Sequence, residues 1–169
     1  MNLKYISAQM DQNAQVIRAL VQDVSEELAR WKPDPASWSR LEVIHHLYDE
    51  EREDFRTRLD YTLHKPGSPW PIIDPEGWVA ARKYNQQDFQ ATLEKFLQER
   101  EESRRWLHGL TAPNWDLAYD ASFGLITAGD LLAAWVAHDL LHTRQLVELK
   151  WADTTRQLNP YRVEYAGAW

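Results

Sequence analysis

Two histidines near the end of the chain have the residue type and the spacing of a reactive site. His138 and His142 lie four residues apart in the run AAWVAHDLLHTRQLVELKW, and side chains at this spacing project from the same face of a helix. Their imidazole nitrogens can therefore converge on one point, as a divalent metal with a preference for nitrogen ligands requires. The pattern favours a metal site if a third ligand comes from elsewhere in the chain.

Helical periodicity places this pair on the buried face of its helix. At about 100° per residue, one sector of the helix collects Leu131, Trp135, His138, His142, Gln145 and Leu149. A buried imidazole needs partners for both ring nitrogens, because an unpaired polar group out of water costs about 1–3 kcal/mol. Two core histidines that are hydrogen-bonded to their neighbours are therefore the alternative to a metal site.

A candidate third ligand lies in the tandem His45 and His46, within LEVIHHLYDEEREDFRTRLDYTL. Adjacent helical residues point about 100° apart, so only one of the two can face a given point. His45 lies nearer the apolar stripe of this helix and His46 lies toward its edge. Periodicity alone therefore favours His45, but only weakly.

Four long segments with helical spacing of apolar residues must position these histidines. The predicted helices span residues 3–28, 41–63, 89–110 and 127–151, and the tail, about 152–169, shows no helical period. Ser39 with Glu42 has the spacing of a capping box at the start of the second helix. Thr127 with Asp130 begins the fourth helix. Bundles of such helices build metal sites from inward side chains on facing helices.

Two connections between these helices are informative. Pro33 and Pro35 end the first helix, because a proline holds the residue before it out of the helical region. Residues 64–85 contain four of the eight prolines and at most a short helix over GWVAAR. A connection this long can cross the bundle and let the second and third helices run parallel. We therefore predict an all-α four-helix bundle with a long crossover between helices two and three, and a single domain over residues 1–169.

Composition excludes several classes of function. A net charge of -7 without any basic cluster lacks the electrostatic footprint of a protein that binds nucleic acid. No apolar run approaches about 18 residues, and the first residues read as an amphipathic helix, so neither a membrane span nor a targeting segment is expected. The chain has no cysteine, which excludes thiolate ligands and fits a reducing compartment. We expect a cytoplasmic protein.

With these motifs in view, the chain resembles the DinB-like, or YfiT-like, superfamily of helical bundles. The resemblance covers most of the chain, through WSRLEVIHHLYDEE, YNQQDF and LTAPNWDLAYDASFGLITAGDLLAAWVAHDLLHTRQL. In that family a Trp-Ser start leads into a helix whose histidine directly precedes a leucine or valine, as His46 precedes Leu47. The last helix of the family carries an HDxxHxxQ pattern, which is matched here by His138, Asp139, His142 and Gln145.

The resemblance implies a four-helix bundle with a divalent metal, usually zinc or nickel, held by His46, His138 and His142. It selects His46 and leaves His45 as the rival ligand. Three neutral imidazoles leave a fourth position for water, and zinc brings the pKa of such a water to about 7. The superfamily includes enzymes that use small cellular thiols in isomerisation and transfer reactions.

The functional prediction is a metal-dependent enzyme, either a hydrolase or a thiol-dependent transferase or isomerase, that acts on a small molecule. The alternative is a non-catalytic bundle linked to stress response, in which the metal or polar cluster is structural and the site is closed. Nine tryptophans also suggest an apolar face that is covered in a homodimer.

Polar neighbours of the histidines could add to the site. Glu50 shares a face with His46 and could be a fourth ligand, a hydrogen-bond acceptor behind a ligand, or a general base. In the acidic run DEERED, however, solvated side chains are the ordinary expectation for Glu50, Asp49 and Glu51. Asp139 points away from the pair, which predicts a salt bridge on the helix surface or a partner contact.

Gln145 lies on the same face as His138 and His142. It could donate a hydrogen bond to a bound water or substrate, or fill a polar gap in the core.

Overall fold

The computed structural model describes residues 1–169, which fold into seven α-helices and one small hairpin. The α-helices are α1 (Leu3–Val21), α2 (Glu26–Arg30), α3 (Arg40–Asp49), α4 (Arg56–His64), α5 (Pro75–Ala81), α6 (Phe89–Gly109) and α7 (Ala128–Leu158). The strands β1 (Ala118–Ala121) and β2 (Gly124–Thr127) form an antiparallel hairpin. Short 3-10 turns cover Tyr84–Gln86 and Glu164–Ala166. None of the helices has the length and apolar character needed to cross a membrane.

The predicted capping box at Ser39 is present, and the predicted helix start at Thr127 also has one. The Ser39 hydroxyl accepts a hydrogen bond from the backbone of Glu42, whose carboxylate accepts one from the backbone of Ser39. Thr127 and Asp130 make the same reciprocal pair at the start of α7. These caps satisfy backbone N–H groups that have no partner within the helix.

The first predicted helix is interrupted, which corrects the span of residues 3–28. Helix α1 ends at Val21, and α2 begins at Glu26. Ser25 is extended, with φ -66° and ψ 155°, and its hydroxyl accepts from the backbone of Leu28 as an N-cap. An N-cap residue is non-helical by definition, so the helix is broken at Ser25. The spacing of apolar residues continues across this break and therefore does not reveal it.

The second predicted helix is unbroken but not uniform. Between α3 and α4, residues Glu50–Phe55 form a π-helical segment. Such wide turns are rare and often occur at functional sites. The segment changes which side chains face inward after His46, and apolar spacing at 3.6 residues per turn cannot predict that change.

The last helix extends to Leu158, seven residues beyond the predicted end at Trp151. Its final turns are polar, with Asp153 paired to Arg156, so they show no apolar period. The irregular tail is therefore shorter than predicted. The tail folds back on the helix, because the ring of Trp169 stacks on Trp151 with centroids 4.5 Å apart.

The long connection crosses the bundle as predicted. The second helical segment, which runs from α3 through α4, is parallel to α6. Its contacts with α6 and the loop before it follow the same order in both segments. These contacts join Ser39 to Asn85, Glu51 to Arg100, and Arg56 to Ser103. Helix α7 is antiparallel to this segment, because Arg40 contacts Leu149 whereas Phe55 contacts Trp135. The short helix predicted over GWVAAR is α5, and the hairpin lies in the connection between α6 and α7.

The core is divided into two apolar clusters at opposite ends of the bundle. One contains the second half of α1 and the later part of α7, and the other contains the first half of α1 and the start of α7. Helix α1 is therefore parallel to α7. Between the clusters lies a polar layer, with contributions from all four long helical segments, whose buried members are Asn13, His46, Glu50, Glu51, Arg100, Ser103 and Asp139.

Candidate metal centre

Three imidazoles converge at one edge of the polar layer. The Nε2 atom of His138 lies 3.4 Å from Nε2 of His46 and 3.1 Å from Nε2 of His142. Each of the three residues offers one ligand atom, and these atoms all lie within 4.8 Å of one another. The group joins α3 to α7 across the bundle.

The structure places His46 in this group and His45 outside it, against the preference from periodicity. The His45 ring stacks on Tyr84 with centroids 4.0 Å apart, and its Nδ1 atom lies 3.6 Å from Asp49. Helix α3 is buried on most of its circumference, because it packs against α6 on one side and α7 on another. The position of an apolar stripe therefore does not predict which of two adjacent histidines faces α7.

All three imidazoles are neutral at pH 7. Burial, and then the neighbouring His142, lower the pKa of His46 to about 3 and the pKa of His138 to about 2. Burial also lowers the pKa of His142. Neutral imidazole is the form that binds a metal ion.

Gln145 determines the tautomer of His142. The Oε1 atom of Gln145 lies 2.8 Å from Nδ1 of His142. Because an amide oxygen can only accept, Nδ1 carries the proton and Nε2 presents its lone pair to the other histidines. Fixing a ligand through its second nitrogen is the usual arrangement behind metal-binding histidines.

Two of the three separations between the nitrogens match those around a tetrahedral cation. With metal–nitrogen bonds of about 2.0–2.1 Å, tetrahedral geometry separates neighbouring ligand nitrogens by about 3.3 Å. The two separations from Nε2 of His138 are 3.1 and 3.4 Å. The donor set consists of neutral nitrogen ligands, which suit zinc, nickel and related divalent ions.

Aromatic rings surround the three imidazoles. Trp38 meets the edge of His46, with centroids 5.0 Å apart, and lies parallel to His142 at 6.5 Å. On the other side, Phe55 contacts His138 at 5.0 Å and stacks on Trp135. These rings pack against the imidazoles and restrict their rotation.

A cleft of about 560 Å³ opens beside His142. The loop between α2 and α3 forms one wall, and α7 forms the other. Trp38, Gln145 and Glu148 are among the residues that line it. The prolines of this loop predict the end of a helix but not a cleft. The one sequence signal for the cleft is Trp38, because a tryptophan beside a turn can line the mouth of a pocket.

A buried ionic network beneath the histidines corrects two predictions. Glu51 and Asp139 were expected at the surface, yet each makes two hydrogen bonds with the guanidinium of Arg100, at 2.6–2.8 Å. Trp135 donates to Glu51, and Asn13 donates to Asp139. A guanidinium carries its five donors in a planar fork that suits this bidentate pairing. The network links all four long helical segments.

Asp49 and Glu50 are also buried rather than solvated. Asp49 accepts hydrogen bonds from Arg52, Arg82 and Tyr84. Glu50 is 5% exposed, and its Oε1 atom has no hydrogen-bond partner. Burial, and then the nearby carboxylate of Asp54, raise the pKa of Glu50 to about 8, so Glu50 is mainly protonated at neutral pH. Acidic composition did not reveal this burial.

Comparison with known proteins agrees with this architecture. The family model of the DinB superfamily matches residues 9–146. A solved structure of YfiT from Bacillus subtilis, described as a probable metal-dependent hydrolase with an unusual four-helix bundle topology, is similar with a TM-score of 0.76. The match covers 87% of this chain and 85% of that chain at 16% sequence identity, a level at which the likeness concerns the fold alone. No curated protein matches the chain. Because the family model spans well over half of its length, the chain belongs to the DinB superfamily.

Proposed function

We propose that this protein is a metal-dependent hydrolase that acts on a small molecule. In this proposal His46, His138 and His142 hold one divalent cation, with zinc or nickel the expected ions. The observation that carries it is the convergence of three neutral imidazoles, at 3.1 and 3.4 Å between Nε2 atoms, beside a cleft of about 560 Å³. The description of YfiT as a probable metal-dependent hydrolase supports the same reaction class.

Each residue around the proposed ion has a separate role. The three histidines hold the ion, and Gln145 keeps His142 in the tautomer that can bind it. A divalent cation held there would lower the pKa of a water molecule and polarise a substrate carbonyl. Trp38 and Phe55 pack against the ligands and restrict their rotation, and the cleft admits the substrate on the side of His142.

The open cleft also distinguishes a hydrolase from a structural metal site and from a thiol-dependent transferase. A purely structural metal site would be closed by a fourth protein ligand and would need no adjacent cavity. A thiol-dependent transferase would use the same opening, but a thiol that carries carboxylates would meet no cationic side chain, since Glu148 is the only charged residue among those that line the cleft. We therefore favour hydrolysis of a small molecule.

Metal analysis of the two tandem histidine variants tests the proposal. Protein purified without a metal-affinity tag should contain close to one divalent ion per chain, and His46→Gln should lose it. His45→Gln is the matched control, because it changes the adjacent residue outside the group and should keep the ion. The proposal fails if the natural chain takes up no metal, or if both variants retain it equally.

A further inference from the structure

Gln145 occupies a position between the proposed metal ligand and the cleft. It lies on α7, three residues after His142, and it lines the cleft. Its Oε1 atom is 2.8 Å from Nδ1 of His142. Its Nε2 atom donates to no protein acceptor, because the contact with His142 is the only hydrogen bond that the side chain makes.

The orientation of this amide and the tautomer of His142 are consistent with each other. This step rests on the proposed function: an ion bound at Nε2 of His142 requires the ring proton at Nδ1, and that proton requires an acceptor. The amide oxygen is the only acceptor that Gln145 has. The oxygen therefore faces His142, which leaves the amino group without a protein acceptor on a residue that lines the cleft.

From this geometry we propose that the amino group of Gln145 is the hydrogen-bond donor of the cleft, and that it binds an acceptor oxygen of an uncharged carbonyl compound such as an ester or amide. The flat apolar part of that compound lies against Trp38. Gln145 then contacts the substrate directly, while its oxygen holds the metal ligand. One side chain thereby links the position of the ion to the position of the substrate oxygen.

The charge of the cleft favours an uncharged ligand over an anionic one. Glu148 follows Gln145 by less than one turn of α7 and is the only charged side chain that lines the cleft. Its carboxylate is 52% exposed and lies 3.4 Å from Arg144. Such an exposed pair leaves Glu148 free to turn toward the cleft at little energetic cost.

Binding of a hydroxamate to the zinc-loaded protein tests the role of Gln145. The probe is 3-carbamoylbenzohydroxamic acid, because its hydroxamate binds zinc while the amide oxygen on its flat ring stays free to accept a hydrogen bond. We expect Gln145→Glu, which keeps an acceptor for His142 but has no N–H donor, to retain zinc and to bind the probe about tenfold more weakly in calorimetry. Gln98→Glu makes the same charge change on the exposed side of α6 and should leave binding unaltered.

Two further measurements separate direct contact from an effect through the metal. Imidazole binds zinc but has no acceptor oxygen, so its affinity should be similar in the natural chain and in Gln145→Glu. Gln145→Met adds no charge and should also weaken binding of the carbamoyl probe. If both variants bind the hydroxamate as tightly as the natural chain, or if imidazole weakens by the same factor, the assignment of Gln145 is overturned.

A second probe tests the preference for uncharged ligands. The 4-carboxy derivative of benzohydroxamic acid should bind the natural chain several-fold more weakly than the parent compound. Glu148→Gln should reduce the ratio of the two affinities about threefold, whereas Glu102→Gln on α6 should leave the ratio unchanged. Equal affinities for the two probes in the natural chain would overturn the charge preference. Failure of the natural chain to take up zinc or any other divalent ion would instead overturn the proposed function itself, together with the tautomer on which the Gln145 assignment rests.

Discussion

The three imidazoles differ in what their second ring nitrogen contacts. Nδ1 of His142 donates to Gln145, whereas Nδ1 of His46 is buried without a hydrogen-bond partner. Only His142 therefore has its tautomer fixed by a protein acceptor. His46 depends instead on packing, through the edge of Trp38, for its orientation.

Burial of these histidines should make the metal-free protein sensitive to acid. Because the folded chain lowers the pKa of His138 from 6.5 to about 2, the unfolded chain binds more protons in that interval. The free energy of unfolding should then fall as the pH drops below about 6.5, by up to about 1.4 kcal/mol per pH unit for each such histidine. Denaturant titrations of metal-free protein at several pH values measure this slope.

The matched variants are His138→Gln and His64→Gln. The first should flatten the slope, because it removes a group whose charged form is excluded from the fold. The second changes a histidine that is half exposed and should leave the slope unchanged. An identical slope in His138→Gln and the natural chain would contradict the burial of this ring in a neutral form.

At the scale of helices, Arg100 connects the two segments that carry the proposed ligands. Its guanidinium holds Glu51, five residues after His46, and Asp139, directly after His138. Arg100→Met should destabilise the fold by about 3–5 kcal/mol, because it leaves two buried carboxylates without their cation. Arg104→Met is the control on the same helix, where the carboxylate partners are about half exposed, and its cost should stay below about 1 kcal/mol. Similar losses in the two variants, measured by chemical denaturation, would contradict this account.

The π-helical segment gives a pH dependence of the opposite sign. Burial raises the pKa of Glu50 from 4.5 to about 8, so the folded chain holds a proton that the unfolded chain releases. Stability from this group is complete below about pH 4.5 and is lost as the pH rises through about 8. Glu50→Gln keeps a neutral side chain at every pH. Its free energy of unfolding should therefore fall less steeply than that of the natural chain, by about 1 kcal/mol per pH unit between pH 5 and 8. Glu101→Gln, which is 53% exposed, is the control, and equal pH profiles for all three proteins would reject the prediction.

At the scale of the whole molecule, two exposed leucines on α7 give the expected homodimer a surface on which it can be tested. Leu140 and Leu141 are 58% and 57% exposed, on the side of α7 that faces away from the bundle. We expect light scattering to give twice the chain mass of 19.9 kDa, and Leu141→Glu to give the single-chain mass. Leu125→Glu, at a leucine of the hairpin that is 73% exposed, should remain a dimer. A single-chain mass for the natural protein would reject the homodimer.

The arrangement of the core explains why a polar centre is tolerated. Apolar clusters close both ends of the bundle, and the polar layer lies between them. Each ionic group in that layer must find a partner, because an unpaired buried charge destabilises a fold strongly. Arg100 with its two carboxylates meets this requirement beside the histidines, and Glu50 meets it by remaining protonated.

Signals that act within a few residues are sufficient to predict several elements of this fold. Ser39 with Glu42 and Thr127 with Asp130 predicted helix starts, since a capping box spans only one turn. The length and prolines of residues 64–85 predicted the parallel crossover, because a long connection alone allows it. The spacing of His138 and His142 predicted that they share a face, because both lie on one helix.

The contacts made between helices could not be obtained in this way. Whether His45 or His46 meets α7 depends on the rotation of α3 among its neighbours, and the burial of Glu51 and Asp139 depends on Arg100, which is distant from both in the chain. The π-helical turn and the cleft beside His142 likewise arise from how the helices pack. Local spacing therefore determined the helices and the histidine pair, whereas tertiary packing determined the third histidine, the charge of its surroundings and the access to the centre, because each of these depends on groups that no short stretch of sequence brings together.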